Sequence, residues 1–348
     1  MGEVEYRGRR AVTLENEHLE ITVTVEGGHI AAITDKASGV NPLWSPPWPS
    51  MEPSAYDPAK HPEYGLNAES KLLAGILGHN LCLDLFGGPS EEEAAAGMTV
   101  HGEASVGLYE IAASGDTLTQ RTVLDQAQLA FERKIRLAAG TRTAQIVETV
   151  ENLSAWDRPI GWTQHVTLGP PFVERGKTEF RASATKSKVV ESDFTGGKGY
   201  MKPGAEFMWP LVPCLDGSHV DMQTFVDLEV SGAFSTHLMD PSREDAYFAA
   251  WHPGCRLALA YVWKQSDFPW LGIWEENRSR DSAPWNGVAV TRGMEFGASP
   301  FPETRRAMID RGGLFGVPGY RWAPARSKVQ VEYAATLAPA GSVDELGL

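Results

Sequence analysis

Short segments in which apolar and polar residues alternate with a period of two recur along the chain. Side chains on a β-strand point alternately to its two faces, so this period predicts strands with one buried face. Turns that contain glycine, such as Glu26-Gly27-Gly28 and Leu215-Asp216-Gly217, separate these segments and are typical of hairpins between antiparallel strands. The clearest predicted strands are residues 19–25, 30–33, 144–150, 257–262 and 329–333.

Helical periodicity with capping signals is nearly absent. The best candidates, residues 91–96 and 302–310, are about two turns or shorter, which disfavours a parallel α/β fold. No composition break marks an interdomain linker and no internal repeat is present. The sequence therefore predicts an all-β fold, a large antiparallel β-sandwich, formed by one domain that covers residues 1–348.

Two stretches are predicted to be long and irregular. Residues 42–62 are rich in proline, serine and tryptophan, and residues 266–305 contain three tryptophans with several glycines and prolines. Loops of this length are uncommon unless they bind or cover something. These two stretches are the first places to look for a functional surface.

Charge and cysteine content exclude several classes of function. The formal net charge of −14 argues against nucleic-acid binding, which needs clustered basic residues. Three scattered cysteines are too few for a disulfide framework or a cysteine-based zinc site. No signal-like or membrane-spanning apolar run is found, so we expect a cytoplasmic protein without a membrane partner. We also expect a monomer or homodimer that acts on a small molecule.

The chain contains 11 tryptophans, and several fall in predicted loops. Sugars present apolar C–H faces that stack on aromatic rings, while their hydroxyls need carboxylates, amides and imidazoles nearby. The tryptophans therefore favour a carbohydrate cleft, although tryptophan also fills the ends of large sandwiches. The tryptophans in predicted loops are Trp44, Trp48, Trp270, Trp274, Trp285 and Trp322.

Four short motifs occur in a characteristic order. Val100-His101-Gly102 is followed by a strand that ends in Asn152-Leu153-Ser154, then by a segment with His165 before Pro170-Pro171-Phe172, and then by residues 287–300 around Glu295. Each motif is weakly specific, but their common order resembles the galactose mutarotase (aldose 1-epimerase) superfamily. With the opening hairpins, the resemblance spans roughly residues 12–338.

The resemblance implies a β-sandwich enzyme with His165 as catalytic acid and Glu295 as general base. His101 is implied to contact the sugar near the reacting centre, and we expect Trp274 to line the cleft. The family's arginine before the His-Gly motif is not evident here; His79 or Asn80 stands at about that place and is expected to substitute for it. Glu295 also lies in an apolar, glycine-rich context, where a carboxylate must be paired or functional.

These residue types suit anomer interconversion. One base removes the proton from the anomeric hydroxyl while one acid protonates the ring oxygen, so the ring opens, the aldehyde rotates and the steps reverse. A carboxylate and an imidazole can both be tuned near neutral pH by burial. We expect no metal and no organic cofactor.

Other functions stay open from the sequence. A metal-dependent cupin is disfavoured because no His-x-His is present, whereas glycoside hydrolysis by two carboxylates is not excluded. A non-catalytic carbohydrate-binding or regulatory protein could share the fold. A phosphorylated sugar would need a basic cluster, for which the candidates are Arg292, Arg305, Arg306 and Arg311.

Overall fold

The computed structural model describes residues 2–348, which form two large antiparallel sheets with short helices in the connections. The first half of the strands are β1 Gly2–Tyr6, β2 Arg9–Glu15, β3 Leu19–Thr24, β4 Ile30–Asp35, β5 His79–Asp84, β6 Glu110–Ser114, β7 Thr117–Leu124, β8 Leu129–Arg136, β9 Thr143–Asn152, β10 Arg158–Leu168, β11 Glu179–Ala182 and β12 Ala184–Val189. The second half are β13 Glu206–Met208, β14 Leu211–Pro213, β15 His219–Asp221, β16 Ser231–Met239, β17 Asp245–His252, β18 Leu257–Lys264, β19 Trp270–Asn277, β20 Val290–Gly297, β21 Gly313–Leu314, β22 Val317–Pro318, β23 Arg321–Ala323 and β24 Lys328–Pro339.

The helices are short. Two of them match the predicted helices. α2 begins after a capping box formed by Ser90 and Glu93. α3 begins at Arg305, later than the predicted start at residue 302, because the side chain of Thr304 caps it. The helices are α1 Ser70–Gly75, α2 Glu91–Ala95 and α3 Arg305–Arg311, with 3-10 turns at Pro53–Ala55, Pro62–Tyr64, Glu103–Ser105 and Val343–Leu346. Within residues 2–348, no helix is long and apolar enough to cross a membrane.

The two sheets pack face to face and enclose the main hydrophobic core. The first sheet has the order β1-β2-β3-β4-β5-β10-β20-β19-β16-β12-β13, with β23 added to β10, and the second has the order β11-β17-β18-β24-β9-β8-β7-β6. Core residues such as Trp162, Phe248 and Phe296 come from both sheets. The predicted antiparallel β-sandwich is confirmed.

The five strands predicted from alternation are all present, and residues 42–62 are irregular as expected. The prediction of a long loop over residues 266–305 is wrong, because β19 and β20 lie within it. Nearly all the residues of these two strands are buried. The alternation that reveals a half-buried strand is therefore missing from their sequence.

A second apolar cluster covers the outer face of the large sheet. Trp44 stacks on Trp285 with ring centroids 5.9 Å apart, and the ring of Trp48 meets both edge-on at 5.5 and 5.0 Å. Residues of α1, with Phe234 and Trp274 from the sheet, complete this cluster. The central strands β5, β10, β20, β19 and β16 are thus covered on both faces, and a cleft opens within the outer layer.

Candidate active site

A row of residues crosses the centre of the large sheet, one from each of five neighbouring strands. In the strand register Asn80 lies opposite His165, His165 opposite Glu295, Glu295 opposite Gly272, and Gly272 opposite Thr236. Directly opposed residues of an antiparallel pair point to the same face. The row therefore places an imidazole and a carboxyl side by side on the face that carries the cleft.

His165 and Glu295 form a close buried pair at the cleft floor. The Nε2 of His165 lies 3.1 Å from Oε1 of Glu295, and both side chains are almost fully buried. The approach is not aligned as a hydrogen bond, so Oε1 has no hydrogen-bond partner. On the other side of the ring, Nδ1 lies 2.9 Å from the hydroxyl of Thr167, which can accept or donate and so holds the ring in either protonation state.

Burial sets the charge of this pair. It raises the pKa of Glu295 well above the ordinary carboxyl value, because no polar group compensates the lost hydration. It also lowers the pKa of His165 well below the ordinary imidazole value, with a smaller contribution from the nearby His101. Both shifts favour the uncharged pair, in which Glu295 holds the proton and His165 is neutral.

Two glycines make room for the Glu295 side chain. A Cβ atom on Gly293, two residues earlier on β20, would lie 2.3 Å from Oε1 of Glu295. A Cβ atom on Gly272, directly opposite, would lie 2.9 Å from the ring of Phe234 and 3.4 Å from Oε2. The carboxyl therefore occupies space that any other residue at position 293 would fill.

His101 stands over the pair at the end of the connection from α2. Its backbone has a φ of 68°, and its Nδ1 donates to the carbonyl of Phe86 at 2.6 Å. Its ring centroid lies 4.8 Å from that of His165. Burial lowers the pKa of His101 to about 4, so the ring is neutral at pH 7 and its Nε2 can accept a hydrogen bond from a ligand hydroxyl.

Aromatic rings form the walls of the cleft, which has a volume of about 290 Å³. Trp274 lies with its ring centroid 6.0 Å from that of His165, and Trp285 meets Trp274 edge-on at 5.8 Å. Leu72 and Leu73 of α1 close the opposite side. The walls are thus suited to the apolar face of a ring-shaped ligand.

One arginine, Arg280, lines the cleft near its mouth. Its guanidinium stacks on Trp285 at 4.7 Å and on Trp274 at 5.6 Å. It also lies 3.3 Å from a carboxylate oxygen of Glu69 and 3.5 Å from one of Glu276. These two carboxylates compensate its charge.

Several buried polar atoms on the cleft face of the central strands have no hydrogen-bond partner. Buried polar groups in folded proteins are almost always hydrogen-bonded to protein or to ordered water, and of these five atoms only Nε1 of Trp274 and Oε1 of Glu295 belong to residues that line the cleft. Donors and acceptors are both represented, which suits a ligand with several hydroxyls. These atoms are Nδ2 of Asn80, Oγ1 of Thr163, Oγ1 of Thr236, Nε1 of Trp274 and Oε1 of Glu295.

Asp84 ties the rim of the cleft together. Its buried carboxylate accepts from Arg158 at 2.5 Å and from Arg305 of α3 at 2.6 Å, and Arg305 also donates to Glu93 of α2 at 2.9 Å. The β5 end, α2 and α3 therefore meet at one carboxylate. Nothing in the local sequence around Asp84 indicates this role, because its partners are distant in the chain.

The structure brings together four of the six predicted site residues around one cleft. His101, His165, Trp274 and Glu295 line it, and Asn80 lies beneath its floor beside His165. His79 is not part of the site, since it points to the opposite face of the sheet. There its Nε2 lies 2.9 Å from Gln164 and its Nδ1 3.2 Å from the hydroxyl of Tyr261, within the buried network around Glu148 and Arg133.

The four arginines considered for phosphate binding do not converge on the cleft. Arg292 lies on the core face of β20 with its guanidinium 4.1 Å from the Phe180 ring. The other three are paired with acids: Arg305 with Asp84, Arg306 with Asp310 and Arg311 with Glu303. Arg280, which does line the cleft, lies within the stretch that the sequence predicted as a loop.

The Asn152-Leu153-Ser154 motif has a structural role. The side chain of Asn152 accepts from the backbone and hydroxyl of Ser154 and donates to the carbonyls of Trp156 and Ala323. These bonds shape the connection from β9 into β10 and so fix where β10 carries His165. Among residues 2–348, no group of three or more His, Cys, Asp or Glu side chains is arranged to hold a metal ion.

No protein-family model and no curated protein sequence matches the chain. Solved structures do match it over nearly its whole length. A protein of Klebsiella pneumoniae, provisionally named an aldose 1-epimerase, is 15% identical with a TM-score of 0.66, and the match covers 96% of this chain and 80% of that one. A galactose mutarotase-like protein of Clostridium acetobutylicum is 14% identical, with a TM-score of 0.62 and coverages of 97% and 98%.

A galactose mutarotase related enzyme of Lactobacillus acidophilus is 12% identical, with a TM-score of 0.59 and coverages of 96% and 99%. Identities this low establish a common fold and leave the activity to be argued from the site. The chain has the galactose mutarotase-like β-sandwich fold, so the resemblance found in the sequence is confirmed at the level of the fold.

Proposed function

We propose that this protein is an aldose 1-epimerase-like enzyme that interconverts the anomers of an uncharged sugar by acid–base catalysis. The observation that carries the proposal is the buried pair of His165 and Glu295, with Nε2 and Oε1 3.1 Å apart at the floor of an aromatic cleft. Two titratable groups whose pKa values are shifted in opposite directions by burial are the usual basis of paired acid–base chemistry.

The reaction needs one proton to be taken and one to be given. Glu295, as a carboxylate, takes the proton of the anomeric hydroxyl while His165, as an imidazolium, gives a proton to the ring oxygen. The bond between the anomeric carbon and the ring oxygen breaks, and an open-chain aldehyde forms. Rotation about the bond next to the aldehyde carbon, followed by the reverse proton transfers, closes the ring as the other anomer.

The proton count of the pair stays constant through this cycle. Ring opening converts the ionised pair to the neutral pair, which is the state that burial favours. The hydroxyls of a bound ring sugar supply hydrogen bonds that burial had removed, and hydrogen bonding to the charged form stabilises it. Substrate binding therefore prepares the ionised pair, and aldehyde formation returns the neutral pair.

Surrounding residues would hold the sugar and keep the acid in place. Thr167 accepts from Nδ1 of His165, and this contact keeps Nε2 directed at the reacting atoms. His101, neutral because of its burial, would accept from a ring hydroxyl close to His165. Trp274 and Trp285 would contact the apolar face of the ring.

An uncharged substrate is favoured over a phosphorylated one. Arg280 is the arginine that lines the cleft, and the carboxylates of Glu69 and Glu276 already compensate its charge. A phosphate needs arginines or lysines free to bind it. The remaining candidates for such a cluster lie elsewhere in paired positions.

The test is anomer exchange measured by NMR on a panel of free aldoses. We expect the wild type to accelerate exchange of at least one aldose, and Glu295→Gln and His165→Asn each to lose about 10²–10⁴-fold in rate. Glu5→Gln and His219→Asn, at exposed positions, are the matched controls and should keep the wild-type rate. Circular dichroism of all variants verifies that folding is intact.

A folded wild type that binds aldoses without accelerating their exchange would overturn the enzymatic proposal. It would instead indicate a non-catalytic carbohydrate-binding protein on the same fold. Exchange that persists in Glu295→Gln would refute the role given to this carboxyl.

A further inference from the structure

A groove separate from the catalytic cleft, here called the outer groove, lies at one end of the second sheet. It is lined by residues from 123–128, by residues 153–156 and by Arg326. These belong to the β7–β8 turn, the loop from β9 into β10 and the connection from β23 into β24. The outer groove has a volume of about 320 Å³ and, within residues 2–348, shares no lining residue with the cleft.

Trp156 is the large exposed side chain of the outer groove. It is 62% exposed, yet the loop that carries it is held firmly. The side chains of Asn152 and Ser154 both donate to the carbonyl oxygen of Trp156 at 2.9 Å, and Asp157 accepts from the backbone of Ala325 at 2.8 Å. An indole held in this way presents a flat apolar face to a ligand at a low cost in conformational entropy.

Three polar side chains line the outer groove together with this ring. Asp125, Gln128 and Arg326 are all exposed, and none of their side chains has a hydrogen-bond or ion-pair partner in the described part of the chain. The hydroxyl of Ser154 is different, since it donates to the side chain of Asn152 and is already used. A carboxylate, an amide and a guanidinium are therefore free to bind a ligand with both donors and acceptors.

The backbone is unusual at two of these three positions. Gln128 has a φ of 50° and Arg326 a φ of 53°, which is the left-handed region that glycine adopts with least strain. Glycine at either position would form the same turn, so both side chains are present where the backbone disfavours them. Unfavourable backbone conformations of this kind cluster at functional sites, and here two of them line one groove.

Hydrogen bonds between the three connections keep the outer groove open. The backbone of Leu153 donates to the carbonyl of Gln128 at 2.9 Å, and that of Arg326 to the carbonyl of Ser154 at 3.2 Å. The carboxylate of Glu103 accepts from two backbone N–H groups of the β7–β8 turn, at 3.1 and 2.7 Å. The groove is thus formed before any ligand binds, which lowers the cost of binding.

A pyranose ring has an apolar C–H face that stacks on an indole and hydroxyls that bind carboxylate, amide and guanidinium groups. The opposite charges of Asp125 and Arg326 favour a neutral ligand over an anion or a cation. We propose that the outer groove is an accessory binding site for a neutral polysaccharide, one ring of which stacks on Trp156. The site holds the protein on a glycan and takes no part in the chemistry at His165 and Glu295, so this proposal does not rest on the proposed function.

The test is native affinity electrophoresis in gels that contain soluble starch, dextran, galactomannan or mixed-linkage β-glucan. We expect at least one of these polysaccharides to retard the wild type, and Trp156→Ala to raise the Kd for it about tenfold. Trp322→Ala is the matched control, because Trp322 is 55% exposed and lines neither the outer groove nor the cleft. A wild type that none of the four retards, or retardation kept in Trp156→Ala, would overturn the proposal.

Two further variants separate binding from folding. Gln128→Gly and Arg326→Gly each remove a free side chain at a position whose φ suits glycine, so neither should lower the urea midpoint. We expect each to weaken polysaccharide binding about threefold or more. Arg256→Gly is the matched control, because Arg256 is exposed, has a φ of 51° and lies outside the groove. Equal losses in Arg256→Gly and Arg326→Gly would contradict the assignment.

The remaining outcomes keep this proposal distinct from catalysis and from self-association. Glu295→Gln should be retarded like the wild type; retardation lost in Glu295→Gln and kept in Trp156→Ala would place the polysaccharide in the cleft. A wild-type dimer that Trp156→Ala converts to a monomer, measured by light scattering without retardation of either, would show that the indole contacts a second copy. Retardation that depends on Trp156 without anomer exchange would support the outer groove and refute catalysis, and exchange without retardation would do the reverse.

Discussion

The Nε2 of His165 lies 3.1 Å from Oε1 of Glu295, although the two residues are on strands far apart in the sequence. The antiparallel register of β10 and β20 places them directly opposite each other. A shift of one residue in this register would turn one of the two side chains to the core face. The candidate chemistry therefore depends on the pairing of the strands as much as on the identity of the residues.

The rate of anomer exchange should be nearly constant between the lowered pKa of His165 and the raised pKa of Glu295. Between these two pKa values the pair carries one proton, either on His165 in the ionised pair or on Glu295 in the neutral pair. The ratio of these two forms does not depend on pH, so the fraction of enzyme in the reactive ionised form is constant there. A pH profile of kcat/KM should show its acid limb well below 6.5 and its alkaline limb well above 4.5. An acid limb centred near 6.5 would contradict the assignment, because it would indicate an unperturbed histidine.

Glu295→Gln should increase the free energy of unfolding, and the increase should grow as pH rises above 4.5. The folded state of the wild type holds the Glu295 proton above the pH at which the unfolded state loses it, so wild-type stability falls with rising pH in that window. The slope is at most about 1.4 kcal/mol per pH unit. Urea denaturation of both proteins between pH 5 and 8 measures it, with Glu5→Gln as the exposed control; a difference that does not change with pH would refute the raised pKa.

Gly293→Ala should lower kcat strongly, by about 10²-fold or more, while leaving the protein folded. The added methyl would lie 2.3 Å from Oε1 of Glu295 and must displace the carboxyl from His165. Steady-state exchange kinetics and circular dichroism test this. Gly2→Ala, where an added methyl meets nothing, is the control glycine. Full activity in Gly293→Ala would mean that catalysis does not require the carboxyl to lie beside His165.

Asp84→Ala should destabilise the protein by more than about 1 kcal/mol, because Arg158 loses the carboxylate that it pairs with and Arg305 keeps only Glu93. The loss should be measurable as a lower urea midpoint with an unchanged m-value. Asp125→Ala, at an exposed position, should change stability little. A loss below about 1 kcal/mol would show that the Asp84 pairs behave as surface salt bridges do.

Arg305→Gln tests the connection between this ion pair and the cleft. Arg305 joins Asp84 to Glu93, and the segment before it carries Pro302, which lines the cleft. Since Arg305 does not line the cleft itself, its loss should raise KM through the displaced rim and leave kcat within about threefold. Arg306→Gln, on the exposed side of α3, is the matched control. A large fall in kcat with an unchanged KM would contradict a role in positioning the rim.

The sequence was sufficient for the fold class because its outer strands alternate in polarity and its turns contain glycine where hairpins need it. The order of motifs singled out His101, His165 and Glu295, and the loop tryptophans included Trp274; these four residues line one cleft, and their roles stay a prediction. The sequence alone could not assign His79 and Asn80. Every residue of β5 is buried, so no alternation distinguishes the cleft face from the core face.

Tertiary structure alone decided the environment of each group. The wall of the cleft comes from α1 and from the covering tryptophans, and the charge of Arg280 is compensated by Glu69 and Glu276, which lie on different segments. Local sequence determines which residues can form a strand, because that depends on neighbours one or two positions away. Which face a side chain lies on, which charges it meets and how deeply it is buried depend on contacts between distant segments, and these fix the pKa values and the shape of the site.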